Sequence, residues 1–558
     1  MDNYAIAENF SLLSKLMDVH GDNSFKAKSY ASAAFTIDRL TTPLTELPAD
    51  KIFSIRGIGD AIGKKIVEQI ETGQLSALNE YLAKTPPGIL DMLGIKGIGP
   101  KKISTIWKEL EIESLGELLY ACNENRLTLY KGFGEKTQQN IKEAIEFYFR
   151  SSGSYLYQQM ESFAETVDTK LKEQFPSDQF SITGEFKRQM EVIHKMEWVS
   201  TASIDQLKSF FIANEFEVVT EKEVYLSFKG KENVTLGFYI TDPVHFISKQ
   251  FQTACSEEFL TAWNDQSGWN AAKEYTSEDA IFTSVDCQFI PSSQREKAGV
   301  IALAKAGKLA DVIQPGDIKG IIHSHSNWSD GVNTLEQMAK AAIEKGLEYL
   351  VISDHSKTAF YANGLSEERI RAQHAQVDEL NAKLAPFKIF KSIESDILND
   401  GSLDYSPEVL ASFDLVIASV HSNLKMTEEK AMMRLLNAIE NPFTSILGHM
   451  TGRLLLSRNG YPVDHQQIIE ACAANNVVIE LNAHPRRLDI DWRWIDLALE
   501  KNVLISIDPD AHAIDGYDDC RYGVLVAQKA GLTKEKNLSS FSLAQFEAFI
   551  KVQQAKRK

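Results

Sequence analysis

The chain has 558 residues, 44% apolar and 24% charged, which is ordinary globular composition and too long for a single hydrophobic core. No apolar run reaches the roughly 18 residues that span a bilayer, and MDNYAIAENFSLLSKLMDVHG lacks the basic start and apolar stretch of a secretory signal, so neither a membrane nor export is expected. The net charge of −18 speaks against wholesale electrostatic capture of nucleic acid, but residues 1–150 hold 18 Lys+Arg against 20 Asp+Glu and the remainder 41 against 57, so any such contact belongs to the N-terminal part.

First in chain order, GDNSFKAKSYASAAFTIDRL (21–40) sets Lys26, Lys28 and Tyr30 on an amphipathic helical stretch, read as a solvated helix face. Three segments then share a pattern, each after an apolar helical run: IRGIGDAIGKKI (55–66), IKGIGPKKI (95–103) and YKGFGEKTQQNI (130–141). The glycine pairs Gly57/Gly59, Gly97/Gly99 and Gly132/Gly134 permit positive φ and let backbone amides approach a ligand, while the next helix begins there with its positive dipole end. Lys64, Lys65, Lys101, Lys102 and Lys136 add charge where a phosphodiester would lie. A single Gly-x-Gly also reads as a tight helix-to-helix turn. Three copies, two with paired lysines, point to phosphate cradles and resemble the helix-hairpin-helix motifs that grip DNA backbone without reading sequence.

Residues 151–285 alternate helical and strand-like patterns, as in SITGEFKRQMEVIHKMEWVST, FEVVTEKEVYLSFKG and NVTLGFYITDPVHF. With the N-terminal layout, this order resembles a family X DNA polymerase, from a small end-binding domain through fingers to palm. In that family a Gly-Ser followed by two basic residues holds the triphosphate, and an Asp-x-Asp with a third Asp two strands later binds two Mg²⁺. The resemblance implies that these positions fall on Gly184, followed here by Glu185 and then Lys187 and Arg188, on Lys195 and Glu197, and on Gly237. No Asp-x-Asp occurs between 151 and 300. Two-metal phosphoryl transfer needs carboxylates around its cations; a lysine repels them, and Glu185 sets negative charge where a triphosphate would sit. The expectation is a palm without Mg²⁺ or nucleotide addition, kept as structural support or as a DNA platform.

The Pro, Ser and Gly of CQFIPSSQREKAGVIALAKAGKLADVIQPGD (287–317) mark a connector. Beyond it, seven β-rich runs alternate with helical segments: IKGIIHSH, EYLVISDH, FKIFKSIESD, DLVIASVHS, TSILGHM, VVIELNAH and VLISIDPDAH. Near-continuous apolar strands between amphipathic helices imply parallel strands buried on both faces, as in a βα barrel. One such helix, NTLEQMAKAAIEKG, is expected to start at Thr334 capped toward Gln337 and to stop at Gly346. Every run ends in a residue able to bind metal, and barrels carry their chemistry at the carboxyl ends of strands. His323 and His325, two apart on an extended segment, point to one face, and Asp510 and His512 repeat this at the last strand. The five cysteines (Cys122, Cys255, Cys287, Cys472 and Cys520) lie far apart without any CxxC, suggesting neither a thiolate zinc site nor a disulfide framework and fitting a reducing compartment.

HSHSNWSDG, ISDHS, IESDILNDGSLD, ASVHS, GHMTGR, ELNAHPRRLDID and DPDAH, in this order, resemble the polymerase and histidinol phosphatase (PHP) domain that bacterial family X polymerases carry at their C-terminus. The resemblance implies nine ligands, His323, His325, Asp330, His355, Glu394, His421, His449, Asp510 and His512, around three divalent cations. It groups His323, His325, Glu394 and Asp510 at one, Glu394, His421 and His449 at a second, and Asp330, His355 and His512 at a third, with His323, Glu394 and Asp510 as catalytic residues. Imidazole with carboxylate suits Zn²⁺, Mn²⁺ or iron. Arg453, Arg458, Arg486 and Arg487 are candidates to grip substrate phosphate, and His484 is either a pocket-lining or a structural residue.

The expected protein is a multidomain α/β chain: a helical DNA-end-binding domain with the first hairpin (1–85), a fingers-like hairpin region (86–150), a degenerate α+β polymerase-X-like palm and thumb (151–290), a linker (291–316) and a distorted (βα)7 PHP barrel (317–558). Resemblance implies 3′ to 5′ exonuclease or 3′-end processing in DNA repair, on gapped DNA or a free 3′ end, in the nucleoid-containing cytoplasm. Two rivals stand beside it: a gap-filling polymerase, and a noncatalytic DNA-end scaffold whose barrel metals are structural. The acidic barrel acting on a small phosphate ester is a further possibility.

Overall fold

A computed structural model describes residues 2–123, 127–151, 153–230, 233–456 and 459–557. The chain divides into two compact units, Met1–Ser152 and Gly153–Lys558.

The first unit is helical. Asn3–His20 is capped by the Asp2 carboxylate on the Ala5 amide and packs on Ser24–Asp38, burying Phe10, Leu13, Ala33 and Ile37. Lys26 and Lys28 are exposed on this second helix, whereas Tyr30 turns into the core, its ring 5.8 Å from that of Phe10. Hairpins follow: Ala49–Phe53 with Asp60–Thr72, Pro87–Leu93 with Pro100–Lys108, and the 3₁₀ turn Leu127–Leu129 with Glu135–Ser151. Their turns reach left-handed φ at Gly57 (93°), Gly97 (91°) and Gly132 (92°), where a side chain would be strained. Two cores form, one within residues 6–78 and one mainly within 89–145.

The second unit begins with a short ladder pairing β1 (Tyr155–Leu156) with β3 (Val192–Ile193). Between and beyond them, β2 (Phe180–Thr183), β4 (Met196–Ser200), β5 (Glu217–Lys222), β6 (Tyr225–Lys229) and β7 (Thr235–Ile240) form one sheet in the order β2-β4-β7-β6-β5. Only β4 and β7 run parallel; the other neighbours are antiparallel. Trp198, Phe211, Phe228 and Phe238 fill the core beneath it.

The expected linker 291–316 is instead folded in large part. The helix Gly299–Lys305 buries Ile301 and Ala304 against Trp263 and Phe282, and Arg295 is wholly buried, 5.0 Å from the Phe251 ring and 2.6 Å from Glu278. Proline and glycine mark the turns of this segment but do not reveal the apolar positions that pack between them.

The C-terminal part is a nearly closed barrel of seven parallel strands: β8 (Gly320–Ile321), β9 (Tyr349–Ile352), β10 (Lys388–Asp396), β11 (Leu415–Ser419), β12 (Ile446–Leu447), β13 (Val478–Asn482) and β14 (Ile505–Asp508). Their residues are buried almost without alternation, because helices cover the outer face. The Thr334–Gln337 capping box opens the helix Leu335–Glu344, and Gly346 takes φ 76° just beyond its end. At the carboxyl ends, a parallel bridge between Ser324 and Ala511 ties the first strand's extension to the last, with the His325 amide donating to the Ala511 carbonyl at 2.8 Å.

Candidate metal centre

The carboxyl ends of the barrel strands bring all nine predicted donors to one mouth. His323 and His325 follow β8, and Asp330 stands on the loop beyond them. His355 follows β9, Glu394 lies within β10, His421 and His449 follow β11 and β12, and Asp510 and His512 follow β14. The donors come from six strand ends instead of the seven expected; β13 ends in Asn482, whose amide donates to Asp510 Oδ2 at 3.2 Å. Both ends of the closure adopt left-handed backbone at non-glycine residues, φ 27° at His323 and 54° at Asp510. Such strain persists only where surrounding structure enforces it, and here it turns two donors inward.

Glu394 stands at the middle, fully buried. Its Oε1 lies 3.0 Å from His449 Nε2, 3.1 Å from His421 Nε2 and 3.3 Å from His323 Nε2, and its Oε2 lies 2.9 Å from His355 Nδ1 and 3.6 Å from His325 Nε2. Asp510 Oδ1 is 3.1 Å from His325 Nε2 and 3.5 Å from His323 Nε2. Asp330 Oδ2 is 3.5 Å from His512 Nε2 and 3.7 Å from His355 Nε2. Among the described residues, three sets have donor atoms within 4.8 Å of one another: His323, His325 and Asp510; His355, Glu394 and His421; and His325, Asp330, His355 and His512. His355 thus faces two sets, one through each ring nitrogen.

These residues fit divalent cations on geometry and on the chemistry of the donor set. His323 Nε2, His355 Nδ1 and Glu394 Oε2 are buried with no hydrogen-bond partner among the described residues, although complementary atoms stand close by. Unbonded atoms that converge, as these three do, leave room for a cation between them. Burial opposes charge on Glu394, but the His421, His323 and His355 imidazoles hold its carboxyl well below the usual range. Burial, with His512 and His355 beside it, pushes His325 down to about 3, leaving it the neutral imidazole that ligation requires.

Sequence reasoning missed the carboxylates behind the donors. Glu480 Oε2 accepts from His323 Nδ1 at 2.5 Å and Asp396 Oδ1 from His421 Nδ1 at 2.5 Å, so both imidazoles present Nε2 to the centre. Asp354 accepts from the Ser326 amide (2.8 Å) and from Gln373 (2.6 Å), steadying the loop that carries Asp330. A carboxylate inside the apolar run VVIELN, and another two residues after Glu394, were the available signals.

The arginines divide. Arg453 is engaged by the neighbouring loop: its guanidinium donates to the Arg487 carbonyl (2.9 Å), the Leu488 carbonyl and Asp491 (2.6 Å), through one N–H of each nitrogen. Arg458 lies outside the described residues. Arg486 is exposed, and among the described members of the set Arg487 is placed at the centre, its Nε 3.7 Å from Asp510 Oδ2. His484 is half-buried, its Nδ1 accepting from the Arg486 amide at 3.2 Å.

In the sheet expected as a palm, Glu197 and Gly237 are register partners on β4 and β7, yet no donor set forms there among the described residues. A Cβ on Gly237 would lie 2.6 Å from the Tyr225 hydroxyl, and one on Gly184 (φ 66°) 2.2 Å from Glu197 Oε2. Burial raises the Glu197 carboxyl, which accepts from the Tyr239 hydroxyl at 3.1 Å. Lys195 is exposed; Glu185 accepts from the His194 amide at 2.6 Å; Arg188 pairs with Glu296 at 2.8 Å. In the helical unit, nothing lies within 4 Å of a Cβ built on Gly59, Gly97, Gly99, Gly132 or Gly134, so the turns are open to an approaching backbone. Lys64, Lys101 and Lys136 are exposed beside them, and Lys65 and Lys102 are half-buried.

Family comparisons match residues 1–75 to a helix-hairpin-helix domain, 89–146 to a SAM-like helix-hairpin-helix tandem and 322–484 to the PHP domain. Over 96% of its length the chain is 32% identical to the DNA polymerase/3′-5′ exonuclease PolX of Bacillus subtilis, covering 97% of that protein. The chain is also 25% identical to a probable phosphatase of Thermoanaerobacter sp., over 39% of this chain and 89% of that protein, and 29% identical to a probable phosphatase of Clostridium acetobutylicum, over 29% and 63%. No helix among the described residues is long and apolar enough to cross a membrane.

Proposed function

The chain belongs to the DNA polymerase/3′-5′ exonuclease PolX family, and on that premise we propose that it is a DNA-binding phosphoesterase that shortens strands from a free 3′ end through its PHP barrel, with no nucleotide addition by its palm. The observation that carries this reading is the contrast between the two candidate centres: donors from six strand ends converge on Glu394, while the palm sets a half-buried Glu197 opposite Gly237 and forms no donor set among the described residues.

In this reading the nine donors would hold three divalent cations, Zn²⁺, Mn²⁺ or iron, with Glu394 central among them. When bound, such cations would activate water near neutral pH and offset charge on the phosphoryl oxygens. The protein's own part is to fix the donors through Glu480 and Asp396, and to present Arg487 to a non-bridging oxygen of the scissile phosphodiester. The open hairpin turns and their lysines hold DNA by backbone phosphates, which suits a gapped or frayed end of any sequence. The nucleoid is where that substrate lies.

The test is end-labelled gapped duplex with Mn²⁺ and dNTPs, comparing the wild type with Glu394→Gln. Shortening by the wild type, no extension, and loss of shortening in the variant are expected; extension without trimming overturns the reading. The name of the Bacillus subtilis relative includes polymerase activity, which keeps gap filling as a second reading. Mg²⁺-dependent incorporation that survives His323→Ala would establish it.

A further inference from the structure

The barrel loop 485–494 carries Arg487 to the centre, and it is not held by the barrel alone. It has little regular secondary structure: Leu488 takes φ 44°, and the Arg487 and Leu488 carbonyls are bound by the Arg453 guanidinium. Arg453 is fixed in turn by Asp491, whose carboxylate also accepts from Arg493 Nη1 at 2.9 Å. The next partner is in the palm. Glu191, 6% exposed, accepts from Arg493 Nη1 at 3.1 Å through Oε1 and from Trp492 Nε1 at 3.1 Å through Oε2.

A second tie runs beside the first. The Trp492 ring centroid is 4.7 Å from Arg493 and 4.8 Å from Lys529, and Lys529 donates to the palm's Arg188 carbonyl at 2.7 Å and to Glu296 at 3.1 Å. Arg188, which the family resemblance would assign to a triphosphate, is thus engaged where palm meets barrel.

We propose that Glu191 is a positioning residue for the hydrolytic centre, with the palm bracing the 485–494 loop so that Arg487 stands beside Asp510. This rests on the phosphoesterase reading above, with Arg487 as the group that meets the phosphodiester. The physical requirement is simple: β13 ties Asp489 and Ile490, through the Asn482 amide to the Asp489 carbonyl at 2.6 Å and the Ile490 amide to the Glu480 carbonyl at 3.1 Å, but the Arg487 and Leu488 carbonyls lie outside that pairing and keep the arginine in place only if they and the charges beside them are bound. Removing Glu191 leaves the Trp492 N–H without its acceptor and Arg493 with one carboxylate where it had two. Asp491, Arg453 and the Arg487 carbonyl are the links that would relax in consequence.

The experiment uses the full chain with Mn²⁺ and compares wild type, Glu191→Ala, Arg487→Ala and the double variant, with Glu191→Gln as a milder change that keeps one acceptor. Amide hydrogen exchange is followed in 484–494, and kcat/KM on end-labelled single-stranded DNA is measured. Exchange in 484–494 is expected to rise in Glu191→Ala, and less in Glu191→Gln, while 320–331 is unchanged. kcat/KM is expected to fall on the order of tenfold or more in the wild-type background and less than about twofold in the Arg487→Ala background. Unchanged loop exchange, or the same fold loss in both backgrounds, overturns the proposal. A wild type that never cleaves DNA defeats the functional reading instead, while the exchange measurement still decides whether Glu191 holds the loop.

Discussion

Glu480, on a strand that sends no donor of its own to the metal centre, accepts a 2.5 Å hydrogen bond from His323 Nδ1. The bond fixes which nitrogen of His323 faces Glu394 and Asp510, and it adds basicity to that nitrogen. Glu480→Gln is therefore expected to lower metal affinity or hydrolytic rate by roughly ten- to hundredfold, with the fold intact. Metal content after dialysis and circular dichroism of the variant check both halves; full metal occupancy at wild-type rate would contradict the role.

Binding of cations should stabilise the barrel, because the centre gathers the Glu394, Asp510 and Asp330 carboxylates and converging imidazole nitrogens at one place. Chelation is expected to lower Tm and added Mn²⁺ to restore it, by about 2.7 kcal/mol at a hundredfold excess over Kd. Differential scanning calorimetry across a metal titration reads this, and Glu394→Gln should flatten the response.

Restoring a carboxylate to the palm should fail. The Tyr225 hydroxyl sits 2.6 Å from where a Cβ on Gly237 would be, so Gly237→Asp must displace Tyr225 or distort β7. A loss of about 1–3 kcal/mol in urea unfolding is expected from overpacking, with no gain of primer extension. Extension by this variant would mean that the palm is one substitution from activity.

The hairpin lysines should report as phosphate-binding groups. Replacing Lys64 and Lys101 with Ala is expected to weaken binding of DNA duplexes of unrelated sequence equally, and to reduce the slope of log K against log salt by about one for each lysine that had neutralised a phosphate. Fluorescence anisotropy at several salt concentrations distinguishes this from a folding defect, which would leave the slope of the folded fraction unchanged.

Asp519 offers a pH test away from the metal donors. Burial, with Asp518 and Asp515 beside it, pushes its carboxyl from 3.8 up to about 7. A raised acid costs stability progressively as pH climbs from about 4 through 7, because the unfolded chain ionises first and more easily. Asp519→Asn should therefore gain Tm over the wild type at pH 8 and gain less at pH 5. Asp519 is partly exposed, so solvent screening keeps the difference modest, about 1–2 kcal/mol.

Asp330, on a loop, and Glu394, inside β10, came with the family resemblance, but most barrel donors were legible because a histidine or aspartate follows a short apolar run, which local pattern finds. The same holds for Gly57, Gly97 and Gly132, whose turns require a conformation that few other residues adopt. The misses have one cause. Arg453 and Arg487 look alike in TGRLLLSR and HPRRLDID, yet one is bound to carbonyls of the other's loop and only the other reaches Asp510. Likewise the segment 291–316 has the composition of a connector but buries Arg295 against Glu278.

By itself the sequence determined the kinds of chemistry available: imidazole and carboxylate at strand ends, Gly-x-Gly before basic helices, and no paired aspartates in the palm. Which carboxylate orients which histidine, which arginine meets the centre, and the bracing of the barrel loop by Glu191 across 301 residues of chain were decided only by the tertiary structure. The physical reason is that strand-end and turn preferences are set by neighbours a few residues away, whereas a charge's role depends on which partner the fold brings within about 3 or 4 Å.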